Sequence, residues 1–168
     1  REKHQDLCVL QLDAHADLRD VYLGTKYSHA CVMRRIHELC PTIQVGIRSL
    51  SQEEKQFITR NKLSVFYMPA LTEDKNFEKE ILSSLSDDVY VTIDVDAFDP
   101  SIMPAVGMPE PDGLQWQQVL RIIKLIAAHR HVVGFDLMEF CPQEGPHSCA
   151  FLLAKLAYKF IGYIVPPE

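Results

Sequence analysis

The sequence has 168 residues, of which 47% are hydrophobic and 24% charged, and its formal net charge is −6 at pH 7. These values are ordinary for a globular protein and predict a single domain over residues 1–168. The acidic balance, without a basic block, argues against nucleic acid as a partner. No apolar run reaches the ~18 residues of a membrane span, and the start does not read as a signal peptide, so no membrane association is expected. The cysteines form no CxxC pair, which indicates free thiols and a cytoplasmic protein.

Five apolar, β-branched segments predict buried strands at 7–12, 42–47, 63–68, 89–95 and 131–138. Helical patterns follow them at 28–39, after Ser51, and at 76–85, 114–128 and 148–161. Ser51 and Glu54 have the spacing of a capping box, which predicts that the second helix begins there. The alternation predicts right-handed βαβ units, and hence an α/β fold with a parallel sheet between two layers of helices.

Acidic groups follow three of the predicted strands: Asp13-x-His15-x-Asp17, Asp94-x-Asp96 and Asp136-x-x-Glu139. Ligands of parallel α/β sheets bind beyond the carboxyl ends of the strands. Side chains two residues apart on an extended backbone face the same way. If the backbone stays extended past each strand, we expect the members of each group to converge on one site.

Each group has an ordinary structural explanation when it is taken alone, because an aspartate after a strand is often a turn former or a helix cap. Several carboxylates in one pocket, however, repel one another unless a cation lies between them. Carboxylates with imidazole and without cysteine favour Mn²⁺, Mg²⁺ or Fe²⁺. Five candidate ligands suit two octahedral ions, which lower the pKa of a water molecule that they share and so favour metal-assisted hydrolysis. Glu139, which the ions do not need, would pair with a planar cation such as guanidinium.

Three motifs, at 13–17, 92–114 and 134–142, are the most specific features of the sequence: Asp-Ala-His-Ala-Asp, Thr-Ile-Asp-Val-Asp-Ala-Phe-Asp-Pro through Pro-Glu-Pro-Asp-Gly-Leu, and Gly-Phe-Asp-Leu-Met-Glu-Phe-Cys-Pro. They resemble the ureohydrolases, the family of arginases, agmatinases and relatives that hydrolyse guanidino groups at a dimanganese centre. The resemblance extends over residues 7–161. It implies an arginase-like fold with about five βα units, two Mn²⁺ ions, a small cationic guanidino substrate and a homo-oligomer, a trimer or hexamer.

The same resemblance implies a role for individual residues. The implied metal ligands are Asp13 and Asp94 on both ions, His15 and Asp96 on one ion, and Asp17 on the other. The implied catalytic residues are His29, which would help to protonate the departing amine, Asp96, which would stabilise the tetrahedral intermediate, and Glu139, which would orient the guanidinium. Without the resemblance, His29 would be an ordinary residue at the start of a helix.

Within the family, residues 22–35 and 45–49 look most like agmatinases, so hydrolysis of agmatine to putrescine is the expected reaction. Arg19 stands where arginases usually carry an asparagine, which favours agmatine over arginine. Guanidinobutyrate and arginine remain alternative substrates, and a non-catalytic metal-binding or assembly domain is an alternative function. A phosphoesterase is a third hypothesis, for which Arg19, Lys26 and Arg48 are the candidate phosphate-binding groups.

The sequence departs from the family at its start. A Gly-Gly-Asp-His motif, whose histidine completes one metal site, is missing, and the chain begins at what resembles the fourth of eight strands. We therefore expect a truncated or fragmentary domain, with the strand at 131–138 on an exposed edge. The second ion should bind weakly, and this chain alone should have low activity. His4 is the one candidate replacement for the missing histidine.

Overall fold

The computed structural model describes residues 2–73 and 76–165. Within them, a five-stranded parallel sheet has the order β3-β2-β1-β4-β5. The strands are β1 (Leu7–Leu12), β2 (Thr42–Ile47), β3 (Ser64–Tyr67), β4 (Asp88–Asp94) and β5 (His131–Met138). The predicted parallel α/β fold is confirmed, and β5 forms one edge of the sheet as expected, since β4 is its one neighbour among the described strands.

The described helices are α1 (Val32–His37), α2 (Gln52–Asn61), α3 (Met68–Glu73), α4 (Phe77–Ser84), α5 (Trp116–His129) and α6 (Ser148–Ile164). The predicted capping box at the start of α2 is confirmed, because Ser51 and Glu54 exchange hydrogen bonds. None of the helices in the described ranges is long and apolar enough to cross a membrane.

The structure differs from the predicted helices in three places. The segment predicted as one helix at 28–39 is a 3-10 turn, His29–Cys31, followed by the short helix α1. The reason is that the carbonyl of Asp17 accepts hydrogen bonds from the amides of Met33 and Arg34, which ties the start of α1 to the loop after β1. Helix α3 follows β3 directly, where the sequence predicted that the strand would continue to 68, and α6 runs past 161 to 164.

Two apolar cores lie on opposite faces of the sheet, which confirms the three-layer arrangement. Side chains of β1 alternate between them, with Leu10 and Leu12 in the larger core and Val9 in the smaller. The larger core contains residues of α3, α4, α5 and α6, whereas the smaller contains Met33 of α1 and Ile58 of α2. On the side of the smaller core, β1, β4 and β5 border a cavity of about 230 Å³.

Candidate metal centre

The register of the neighbouring strands β1, β4 and β5 brings the predicted acidic groups to the same level of the sheet. Leu12 of β1 pairs with Ile93 of β4, so Asp13 and Asp94 follow at the same height. Asp94 in turn pairs with Met138 of β5, which places Glu139 one residue farther along the same rim. Three strand ends that are separate in sequence therefore open onto one site.

A pocket of about 310 Å³ lies at this rim. Its lining includes all of the predicted site residues: Asp13, His15, Asp17, His29, Asp94, Asp96 and Glu139. The structure thus brings the seven side chains together, while the role of each remains a prediction.

Asp13, His15 and Asp96 form the tightest part of the site. One ligand atom from each lies within 4.8 Å of the others. His15 Nδ1 is 3.0 Å from Asp96 Oδ2 and 3.6 Å from Asp13 Oδ1. The Ala14 amide donates to Asp96 Oδ1 at 3.1 Å, and the His15 amide donates to Asp13 Oδ1 at 2.6 Å, so backbone groups orient both carboxylates. Asp17 and Asp94 lie beside this cluster in the same pocket.

The backbone does not stay extended through either acidic motif, so the expected reason for convergence is wrong although the side chains do meet. His15 forms a bridge with Ser49, but Asp17 has a left-handed backbone with φ 53°. Asp96 lies in a 3-10 turn, Val95–Ala97, which is capped by Asp94: Asp94 Oδ1 accepts from the Asp96 amide at 3.0 Å. Turns rather than strand alternation aim these carboxylates. Aspartate tolerates the left-handed region better than most residues, and such backbone is frequent at functional sites.

Burial and mutual repulsion raise the pKa of three aspartates in the pocket. Burial is the largest cause in each case. For Asp17 and Asp94 the second cause is the negative charge of Asp13, and their pKa values rise to about 8 and about 10, respectively. For Asp13, burial raises the pKa to about 7, although hydrogen bonding to His15 opposes it. A pocket that favours protonated carboxyl groups is one in which a cation would be strongly stabilised.

Asp96 and His15 behave as an ion pair. Burial alone would raise the pKa of Asp96, but hydrogen bonds from His15 and from the Ala14 amide hold it below its usual value. Hydrogen bonds to Asp13 and Asp96 raise the pKa of His15 to about 10. The imidazole is thus a proton-bearing partner of the carboxylates, and a divalent ion would take the place of that proton.

A buried chain of amides fixes Asp13 from below. Gln11 Nε2 donates to Asp13 Oδ2 at 2.6 Å, and Gln11 Oε1 accepts from Gln44 Nε2, which also donates to the carbonyl of Ala16 at 2.6 Å. Gln11 is 2% exposed and Gln44 is fully buried. Amides in the middle of apolar strands were a signal in the sequence that the motif analysis missed.

Arg48 holds the loop after β4. Its guanidinium donates to the carbonyls of Asp96 and Glu110 at 2.8 Å and of Pro111 at 2.9 Å, with a further bond to Gly46 at 3.1 Å. Burial lowers the pKa of Arg48 while nearby carboxylates oppose that shift. All these acceptors are backbone oxygens, so the residue ties the turn that carries Asp96 to the end of β2.

Two of the predicted catalytic residues lie on the solvent side of the pocket. His29 is exposed, and its ring packs edge-on against Tyr22 with 5.6 Å between centroids. Glu139 is exposed and has a left-handed backbone with φ 59°. Both also line the cavity of about 230 Å³ beside β4 and β5, together with Asp13, Asp17 and Asp94. The site is therefore open on the side of Asp17 and Asp94.

Other acidic residues have structural partners. Asp99 accepts hydrogen bonds from Ser101 and from the Gly113 amide, which closes the loop after β4. Asp136, which the sequence grouped with Glu139, accepts from Tyr90 Oη at 2.9 Å and Thr92 Oγ1 at 2.6 Å. These two carboxylates hold local structure, which matches the structural alternative for a lone aspartate after a strand.

Glu54 is a lining residue that the sequence analysis assigned only to a helix cap. It is buried, and besides capping α2 it accepts a hydrogen bond from the Leu18 amide at 2.9 Å. It therefore fastens the loop that carries Asp17 to the start of α2.

His4 does not replace the missing histidine. It lies at the amino end of the sheet, where its Nδ1 is 2.8 Å from Asp88 Oδ2. Among the described residues, the ligand group at the carboxyl rim contains one histidine, His15.

Comparisons of the sequence and of the structure with known proteins all indicate the arginase family. A model of the arginase family matches residues 1–162. The N(1)-aminopropylagmatine ureohydrolase of Synechocystis is 41% identical over 165 residues, which cover 97% of this chain and 54% of that protein. The agmatinase of Pyrococcus horikoshii is 39% identical over 153 residues, which cover 89% and 53%. The crystal structure of agmatine ureohydrolase from Thermoplasma volcanium has a TM-score of 0.86 at 36% identity and covers 95% and 55%. The chain spans about half the length of the curated relatives it matches.

Proposed function

Because the chain belongs to the arginase family, we propose that it carries most of a dimanganese centre that hydrolyses a guanidino group to urea and an amine. The observation that supports this proposal is the meeting of four aspartates and one histidine in a single pocket. The donors fit the ion, because carboxylates with imidazole and no thiolate suit Mn²⁺. The raised pKa of Asp17 and of Asp94 is a second argument, because burial and the field of Asp13 both disfavour the ionised carboxylates, and two positive ions would offset both effects.

The proposed ligands are those that the motifs suggest: Asp13 and Asp94 for both ions, His15 and Asp96 for one, and Asp17 for the other. When bound, the ions supply positive charge and lower the pKa of a water molecule at the site. The open flank beside Asp17 and Asp94 is where a further ligand from outside this chain would complete the second ion's shell. We therefore expect that this ion binds weakly to the chain alone.

The chain's own groups would bind the substrate and move its protons. Glu139 would pair with the guanidinium through two parallel hydrogen bonds and hold its plane in place. Asp96, which would be ionised as a metal ligand, would accept a hydrogen bond in the tetrahedral intermediate. His29 would donate a proton to the departing amine nitrogen from the solvent side of the pocket.

A cationic substrate fits the charge of the pocket. The lining includes Glu54, Glu110 and Glu139 besides the aspartates, and among the described residues Arg19 is the one Lys or Arg that lines it. Two relatives are named as an agmatinase and an N(1)-aminopropylagmatine ureohydrolase. These points support agmatine or its aminopropyl derivative as the substrate.

The phosphoesterase alternative receives no support from the three cations that would serve it. Arg48 is hydrogen-bonded to backbone carbonyls. Lys26 lies over the ring of Tyr27, with 5.2 Å from Nζ to the centroid. Arg19 lies over the ring of Tyr22, and its Nε is 3.9 Å from Glu54 Oε2.

Urea release from agmatine, N(1)-aminopropylagmatine, arginine and guanidinobutyrate in the presence of Mn²⁺ tests the proposal. We expect the two amine substrates to give the larger kcat/KM, with a low absolute rate. Glu139→Gln should lower kcat/KM at least ~10-fold while Mn²⁺ binding stays unchanged, since Glu139 would touch substrate rather than metal. Glu144→Gln, on the exposed turn Pro142–Glu144, is the matched control. Loss of Mn²⁺ in Glu139→Gln would show that its assigned role is wrong.

A non-catalytic metal-binding domain is the second candidate. The observation that favours it is that the tight cluster contains Asp13, His15 and Asp96, three of the four ligands proposed for one ion, while the other flank stays open. It predicts one Mn²⁺ per chain and no urea from any of the four compounds. Elemental analysis of the purified protein distinguishes this candidate from a two-ion hydrolase.

A further inference from the structure

Three side chains meet at the amino end of the sheet, opposite the pocket. Asp88 Oδ2 is 2.8 Å from His4 Nδ1, and Asp88 Oδ1 is 2.8 Å from His131 Nδ1. The two imidazole rings lie 5.9 Å apart between centroids, with 44° between their planes. One carboxylate is thus held between two imidazoles, both of which approach through the same ring nitrogen.

The sheet itself sets this arrangement. Asp88 is the first residue of β4 and pairs with Leu7 of β1 on one side and with His131, the first residue of β5, on the other. The His131 amide also donates to the carbonyl of Asp87 at 2.9 Å, which fixes the start of β5 against the start of β4. His4 arrives from the segment that leads into β1. Parallel strands in register therefore place their opening side chains in one row.

We propose that His4, Asp88 and His131 form a second binding site, for a divalent ion of the zinc type. One ligand atom from each residue lies within 4.8 Å of the others. The two nitrogen-to-oxygen distances of 2.8 Å are those of hydrogen bonds, and they are shorter than the ~3.3 Å between ligand atoms that each lie ~2.0–2.1 Å from a tetrahedral ion, so the side chains would move apart by roughly 0.5 Å to admit the ion. The ion would lie between the three groups and would bind the deprotonated Nδ1 of each imidazole.

The donor set separates this site from the pocket at the other rim. Two imidazoles and one carboxylate favour Zn²⁺, Ni²⁺ and Cu²⁺, whereas a carboxylate-rich set favours Mn²⁺. The two rims are about 20 Å apart along β4, since a strand rises ~3.3 Å per residue. The side chain of His131 is 68% exposed, so water molecules can complete the coordination shell of the ion. Such an ion would fasten the segment before β1 to the first residues of β4 and β5.

Zn²⁺ binding to the purified chain, measured at pH 7.5 by competition with a chromogenic chelator, tests the site. The variants are His131→Gln and Asp88→Asn, and the control is His129→Gln, an exposed histidine two residues from His131 whose Nδ1 contacts the carbonyl of Leu125. Loss of an outer-shell partner costs ~10–100-fold in metal affinity, so loss of a direct ligand should weaken Zn²⁺ binding at this site at least ~100-fold. The control should bind as many Zn²⁺ ions as the parent chain.

Two further readouts decide the proposal independently of the pocket. Substoichiometric Cu²⁺ should broaden the NMR signals of the His4 and His131 ring protons before that of His129. The Mn²⁺ titration should be the same in His131→Gln as in the parent chain, since the Mn²⁺ ligands lie at the opposite rim. Equal Zn²⁺ stoichiometry and affinity in the parent chain, His131→Gln and Asp88→Asn would overturn the proposal. So would Cu²⁺ broadening that affects all exposed histidines alike.

Discussion

The pKa values of two aspartates at the two ends of the sheet are shifted in opposite directions. At the carboxyl rim, burial and the neighbouring Asp13 raise the pKa of Asp94 to about 10. At the amino rim, hydrogen bonds from His131 and His4 lower the pKa of Asp88. The strand is the same, β4, and so is the residue type. The difference shows that burial and the identity of the partners, rather than the aspartate itself, decide whether the pKa of a carboxyl group rises or falls.

This comparison has a thermodynamic consequence. Burial disfavours the ionised form of Asp17 and Asp94 at the carboxyl rim and raises their pKa to about 8 and about 10, so a divalent ion that replaces their protons should make the metal-bound chain more stable than the metal-free chain. Asp88, in contrast, is hydrogen-bonded to two imidazoles, which favour its ionised form. We therefore expect Mn²⁺ to stabilise the fold through the carboxyl rim.

The largest effect should follow Asp94→Asn. Removing this charge deletes a proposed ligand of both ions, so Mn²⁺ affinity should fall at least ~100-fold, measured by the electron paramagnetic resonance signal of free Mn²⁺. Asp20→Asn is the control, because Asp20 is exposed and pairs with Arg35 at 2.6 Å. Equal Mn²⁺ affinity in Asp94→Asn and Asp20→Asn would show that Asp94 is not a ligand of the Mn²⁺ ions.

Arg48→Met tests whether the hydrogen bonds of the Arg48 guanidinium stabilise the loop after β4. Charged hydrogen bonds are worth ~1.5–3 kcal/mol each, and the carbonyls of Asp96, Glu110 and Pro111 would lose theirs. We expect the free energy of unfolding to fall by about 3 kcal/mol in urea denaturation, since water replaces part of the loss. Arg60→Met, at an exposed position of α2, should change it by less than about 0.5 kcal/mol. A similar value for both variants would contradict the anchoring role.

Gln11→Leu tests the buried chain of amides below Asp13. The substitution keeps the side-chain volume but removes the donor to Asp13 Oδ2. Mn²⁺ affinity should fall about 10–100-fold, as for other partners that orient a ligand. Gln52→Leu, at the exposed start of α2, is the matched control and should bind Mn²⁺ like the parent chain. Unchanged affinity in Gln11→Leu would mean that Asp13 needs no such support.

The smallest effect is a dependence on pH. The pKa of Asp17 is about 8 in the folded chain, above its ordinary value of 3.8, so the folded state holds a proton that the unfolded state releases. Stability of the metal-free chain should therefore fall as the pH rises from about 4 through 8. Mn²⁺ displaces that proton, so the rise in Tm on adding Mn²⁺ should be larger at pH 8 than at pH 6. A rise that is the same at both values would contradict the raised pKa.

Much of the fold could be predicted from the sequence. Buried parallel strands are short apolar runs, and all five were found within about a residue of their observed bounds. The meeting of the three acidic motifs at one rim also followed from the parallel arrangement. The direction of Asp17 and Asp96 did not, because a left-handed residue and a 3-10 turn set it.

Contacts between residues that are far apart in the sequence could not be predicted from local sequence patterns. Arg48 contacts carbonyls 48 to 63 positions away, and Asp88 meets His4 from 84 positions away. No local periodicity encodes such contacts, since they depend on strand order and register. The same holds for the shortness of α1, which results from competition by the Asp17 carbonyl.

The most direct test of the central claim is a Mn²⁺ titration of this chain and of Asp13→Asn, followed by the resonance signal of free Mn²⁺. We predict two ions per chain, the first bound tightly and the second weakly, and a loss of both in the variant, because Asp13 is a proposed ligand of both. No bound ion in the parent chain, or the same two ions in Asp13→Asn, would contradict the claim that these strand ends meet around a pair of metal ions.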